Sequence, residues 1–69
     1  MEFKYLKTFL CVADCGSLTR ASERLRIAQP ALSRQIKLLE HSVGAELFSR
    51  NVRGMILTDT GKALLDRVL

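Results

Sequence analysis

The apolar positions of this chain change their spacing along its length, and the changes mark its elements. Within residues 3–14, Leu6, Phe9, Leu10 and Ala13 recur three and four apart, with Phe3 and Val12 widening the stripe. That spacing predicts a helix with one buried face. Gly16 follows, a residue that tolerates the left-handed backbone beyond a helix end. Ser17 or Thr19 can then cap a second helix over about 19–25, with Leu18, Ala21, Ser22 and Leu25 on one face. The small side chain of Ala21 predicts a close crossing by another helix. Arg26, Ile27 and Ala28 leave only a short connection, in which Ile27 is expected to turn inward. Pro30 suits the first turn of a third helix, where its missing N–H is not needed. Leu32, Ile36, Leu39 and Val43 then carry a buried stripe as far as Gly44.

After Gly44 the helical spacing gives way to short β-favouring runs. "ELFSR" and "MILT" are separated by "NVRG", in which Asn51 and Gly54 are turn formers. They predict a hairpin of strands 46–50 and 55–58, with Arg53 near its tip. Thr58 reads as an N-cap and Asp59 complements the dipole of a last helix. Leu64, Leu65, Val68 and Leu69 line one face of that helix. It ends apolar and uncapped, as expected of a helix cut short.

Helix, helix, short turn, helix and hairpin is the order of a winged helix-turn-helix: mainly α, a three-helix core plus a two-stranded wing. A turn this short makes the two helices cross steeply and leaves the second standing proud of the surface. On that helix Pro30, Ser33, Arg34, Lys37 and His41 project opposite the apolar stripe, and Gln29 sits at the N-terminal tip. Any surface helix shows a polar face, so the face alone says little. Its place in the ordered set, followed by a basic hairpin, points to double-stranded DNA. Gln can pair with adenine and Arg with guanine through two hydrogen bonds each. Gln29 and Arg34 are therefore the candidate base readers, with Ser33 bonding to base or phosphate and Pro30 facing a thymine methyl. Thr19, Arg20 and Lys37 are candidate phosphate contacts. Arg53 is expected at the minor groove or backbone.

Charge sharpens this picture. The formal +4 of the 69-residue chain lies wholly in its middle. Residues 20–53 hold seven bases (Arg20, Arg24, Arg26, Arg34, Lys37, Arg50, Arg53) against Glu23, Glu40 and Glu46, and both flanks are neutral. A basic centre suits a polyanion. For His41 a solvated surface position is the simpler expectation, and for Arg50 solvation or a structural pair; for Thr19, Arg20 and Arg24, phosphate contact and solvation weigh about equally.

Other chemistries find little support. Residues for a Ser–His–Asp or paired-carboxylate site, a metal cluster or a glycine-rich phosphate loop are lacking, so the reading is of a chain that is not an enzyme, with no metal and no cofactor in this domain. Cys11 and Cys15 fall on one helix face and read as ordinary reduced residues, with a redox-sensing pair as the lesser alternative. No apolar run approaches the roughly 18 residues of a membrane span. The charged N-terminus lacks a signal-peptide cleavage site, so the expected location is the cytoplasm.

The signature stretches "GSLTRASERL", "AQPALSRQIKLLE", "GAELFSR" and "LTDTGKALL" together resemble the N-terminal DNA-binding domain of LysR-type transcriptional regulators, without a gap along essentially the whole chain. The resemblance implies a winged helix-turn-helix over about residues 1–58, with the helix-turn-helix proper near 18–37 and the wing near 46–58. Residues 59–69 then begin a linker helix that pairs antiparallel with its copy in a dimer, through Leu64, Leu65, Val68 and Leu69. Gln29, Pro30, Ser33 and Arg34 match the family's groove-facing positions and Arg53 its wing arginine. Ala28 stands where many members have Ser, so the third helix starts without that side-chain cap, and Asn51-Val52 makes an unusual wing tip. The resemblance also implies an interrupted inverted repeat as target, a homodimer or tetramer, RNA polymerase as a further partner, association with the bacterial nucleoid, and a small-molecule inducer bound by a separate C-terminal domain. The rival reading is a winged-helix protein-interaction module docking on an acidic partner.

Overall fold

Four helices and one hairpin follow in the expected order in the computed structural model, which describes residues 3–52 and 54–68. They are α1 (Phe3–Cys15), α2 (Leu18–Leu25), α3 (Gln29–Val43), β1 (Phe48–Asn51), β2 (Gly54–Leu57) and α4 (Asp59–Val68). The Phe3 side chain, Arg53 and Leu69 lie outside what is described.

Helix ends follow local chemistry. α2 begins at Leu18 because Ser17 takes the cap: its backbone is extended and its Oγ accepts the Arg20 N–H at 3.3 Å. Thr19, the other candidate, is already inside the helix. α3 starts with Pro30 in its first turn and no side-chain cap from Ala28, as the loss of serine there implies. It stops where Gly44 turns left-handed and returns its N–H to the Glu40 carbonyl at 2.8 Å.

The apolar stripes of α1 and α3 meet. Phe9, Val12, Leu32 and Leu39 are fully enclosed, and Leu47 and Phe48 close the core from the wing side. Each such side chain contributes about 1.5–3 kcal/mol by leaving water. Phe9 and Phe48 stack tilted by 49° with ring centres 5.5 Å apart. Ala21 is fully buried, so α2 lies close against its neighbours as its size predicts. Thr8, the buried polar side chain of this core, donates to Gln35 Oε1 at 2.6 Å and ties α1 to α3. Val43 and Ile27 are half-buried at the core margin.

The wing is a two-stranded antiparallel sheet with Phe48 opposite Leu57 and Asn51 opposite Gly54. β1 begins two residues later than the sequence run suggests, and β2 keeps its expected length but lies one residue earlier. Glu46 and Leu47 precede β1 and form the joint to α4. The Leu47 carbonyl accepts the Thr58 N–H at 3.0 Å, and the Glu46 carbonyl accepts the Thr58 hydroxyl at 2.6 Å. Thr58 itself caps α4, its Oγ1 accepting the Gly61 N–H at 3.0 Å. Two glycines permit this packing. A Cβ on Gly54, whose φ is +115°, would run into the Gly16 carbonyl oxygen, which accepts the Met55 N–H at 3.1 Å. A Cβ on Gly61 would meet the Leu47 carbonyl and lie 2.8 Å from Leu57 Cδ2.

Candidate nucleic-acid interface

The outward face of α3 is polar because its other face is fully used. Leu32, Ile36 and Leu39 are buried, while Gln29, Pro30, Arg34, Lys37 and His41 on the far side are exposed. Ser33 is half-buried, at the edge of that face nearest the wing. There Arg50 Nη2 donates to Ser33 Oγ at 3.2 Å, so β1 and α3 share a polar contact across a groove of about 500 Å³ lined by Ile36, Lys37, Glu40 and Phe48.

At the tip of α3, Gln29 Nε2 donates to Thr19 Oγ1 on α2 at 2.9 Å. Two of the four expected base readers are therefore held by side chains from other elements: Gln29 by Thr19 and Ser33 by Arg50. Arg34, Lys37 and Arg20 are exposed and form no ion pair among the described residues, so their charges face solvent. Arg24 differs. It pairs with Asp14 at 2.8 Å, both ends largely exposed, and this hydrogen bond with its carboxylate holds the guanidinium more firmly protonated than usual. That contact makes a structural pair of one of the seven bases counted in the sequence.

Other sequence candidates divide. Arg53 lies outside the described residues. Leu64, Leu65 and Val68 are half-buried and pack against the core margin, so the apolar face of α4 is partly occupied within the chain. Leu65 also borders a groove of about 430 Å³ with Leu10, Ala13 and Asp14 of α1. Cys11 and Cys15 are free thiols on neighbouring turns of α1, with sulfurs 3.9 Å apart. Burial, then the contact with Cys15, pushes the Cys11 thiol pKa up, which keeps it neutral and poorly nucleophilic. Among the described residues no group of three or more His, Cys, Asp or Glu side chains could hold a metal ion, and no helix is long and apolar enough to cross a membrane.

Three features are not legible from residue spacing. Glu40, half-buried on α3, accepts the backbone N–H groups of Leu47 and Phe48 at 2.7 and 3.3 Å and so anchors the wing to the helix. The Arg50–Ser33 and Thr19–Gln29 contacts likewise join residues 17 and 10 apart in sequence. The basic and amide character of these residues was the available signal; their pairing was not.

Two helices joined by a short connection, the second with an exposed polar face, and a β hairpin anchored beside it define a winged helix-turn-helix protein. Residues 3–62 match the family described as bacterial regulatory helix-turn-helix protein, lysR family. The chain belongs to that family. It is 48% identical over 66 residues to the HTH-type transcriptional regulator TfdT of Cupriavidus pinatubonensis, covering 96% of this chain and 29% of TfdT. It is 50% identical over 64 residues to the nitrogen assimilation regulatory protein nac of Escherichia coli, covering 93% of this chain and 21% of nac. The chain thus spans under a third of either relative. Among solved structures it is similar to the CbnR DNA-binding domain in complex with DNA, with a TM-score of 0.91 at 42% identity, covering 97% of this chain and 77% of that one. It is also similar to the BenM DNA-binding domain bound to catB site 1 DNA, with a TM-score of 0.85 at 39% identity, covering 99% of this chain and 84% of that one.

Proposed function

We propose that this chain binds double-stranded DNA in a sequence-specific manner as the DNA-binding domain of a LysR-type transcriptional regulator. The single observation that carries the reading is the exposed face of α3, on which Arg34 and Lys37 hold charge unpaired among the described residues, beside the oriented side chains of Gln29 and Ser33. The DNA complexes of the similar CbnR and BenM domains support it. In this reading α3 enters the major groove by its N-terminal end. Gln29, Pro30, Ser33 and Arg34 face base edges, Thr19, Arg20 and Lys37 face phosphates, and Arg53 reaches the minor groove or backbone. The protein acts by binding and not by catalysis, in the bacterial cytoplasm at the nucleoid.

Residues 1–58 form the DNA-binding unit and 59–69 the start of a linker helix that pairs with its copy. The relatives' greater length supports a regulator with a separate inducer-binding domain, working as a homodimer or tetramer on an interrupted inverted repeat, with RNA polymerase as a further partner. Fluorescence anisotropy on a labelled duplex pool, titrated across salt, tests the core claim. Affinity falling linearly with salt concentration on a log–log plot, with one inverted repeat enriched, is the expected result. A folded chain that binds no duplex even at low salt would instead favour an acidic protein partner.

A further inference from the structure

Gln29 and Thr19 lie on different helices and meet where α2 and α3 converge, lining one groove of about 230 Å³ with Arg50 and Met55 of the wing. Gln29 Nε2 is the donor and Thr19 Oγ1 the acceptor, at 2.9 Å. A carboxamide carries two N–H donors on nitrogen and one acceptor oxygen, and rotation about its last bond decides which end points outward. With one N–H engaged by Thr19, that rotation is fixed. The second N–H and the oxygen then form a donor–acceptor edge, the pattern that matches N7 and N6 of adenine in the major groove.

We infer that Thr19 is a positioning residue for base readout: its hydroxyl sets the Gln29 carboxamide in the orientation that selects adenine. The inference rests on the DNA-binding reading and deepens it. Thr19 is suited to the task because its β-branched side chain is stiff about its first bond. Its backbone is held too, since its carbonyl accepts the Ser22 hydroxyl at 2.8 Å one turn away. The Thr19 oxygen is the acceptor in the contact with Gln29, and its own O–H hydrogen is donated to no acceptor among the described residues. Donated to a phosphate oxygen, that hydrogen links the backbone register of the DNA to the orientation of the side chain reading its base.

The test is selection from a randomised duplex pool by the chain and its variants, with folding checked by circular dichroism. Gln29→Ala identifies the base position that Gln29 reads. Thr19→Val, which keeps the shape and removes the hydroxyl, is expected to lower the adenine preference at that position by about three- to tenfold, a fraction of a full bidentate contact. Preferences elsewhere stay close to the parent's, while affinity for random DNA falls modestly with the lost phosphate contact. Thr19→Ser restores the preference, Thr19→Ala repeats the loss without the branch, and neither hydroxyl-free change alters base preference further in a Gln29→Ala background. An equal loss on all sequences with the adenine preference intact would make Thr19 a phosphate contact alone and overturn the inference, while the DNA-binding reading stands. If the unaltered, folded chain enriches no sequence at all, the DNA-binding reading fails and the inference falls with it.

Discussion

The Glu40 carboxylate on α3 accepts the Leu47 N–H at 2.7 Å, just before the wing begins. The same oxygen accepts the Phe48 N–H, so one half-buried charge satisfies two backbone donors that no strand partner reaches. Removing it leaves both donors to find water at the edge of the core. Glu40→Ala is therefore expected to cost about 1.5–3 kcal/mol, the range for hydrogen bonds to a charged group. Glu40→Gln, which keeps an acceptor oxygen, should cost clearly less. Urea denaturation of both variants checks this, and equal losses would show that the carboxylate does not act as the acceptor.

Arg34 and Lys37 sit one turn apart on the exposed face of α3, yet their expected effects differ. Arg34→Ala should cost about 1–3 kcal/mol on a preferred duplex and relax sequence choice at one position. Lys37→Ala should weaken all duplexes alike and reduce the salt slope by about 1. Anisotropy titrations at several salt concentrations separate the two. A uniform loss for Arg34 would reassign it to a phosphate.

Arg26 closes α2 in the left-handed conformation, with φ at 57°, where a side chain carries a steric cost. Arg26→Gly is expected to raise stability by about 0.5–1 kcal/mol, offset in part by the greater freedom of glycine in the unfolded chain. An increase in the thermal midpoint is the outcome to look for. A decrease would mean that the exposed arginine makes a compensating contribution through its side chain.

Cys11 links stability to alkaline pH. Burial raises its thiol pKa in the folded state, so folding favours the neutral form. The unfolded thiol ionises at the lower pKa of an ordinary cysteine. The stabilising contribution is thus present in full below that pKa and is lost as pH rises through the raised folded pKa. Under reducing conditions, melting curves between neutral pH and about pH 10 should fall more steeply for the parent than for Cys11→Val. Parallel declines would place the pH dependence on other groups.

Much of the fold was readable because each helix announces itself through repeated apolar contacts with one core. The stripe of Leu32, Ile36 and Leu39 needs only a 3.6-residue period to be seen, and all three are buried. The hairpin was less sharply bounded. Glu46 and Leu47 have the composition of a strand, but their carbonyls serve the capping of α4 by Thr58. The polar face of α3 was legible as a face, whereas its internal wiring was not. A hydrogen bond such as Arg50 to Ser33 depends on where two elements land in space, and no periodicity encodes that distance.

The wing backbone is fastened at two places, by Glu40 at the start of β1 and by the Gly16 carbonyl beside Met55 on β2. A hairpin fixed on both strands works as a rigid gauge: the gap between wing and α3 is set before any ligand arrives. A duplex whose groove does not match that gap has to yield, because the protein side is already braced. Soft steps such as TA or CA yield cheaply and stiff tracts do not. Some of the selectivity of this small domain should then come from base pairs that none of its side chains touch.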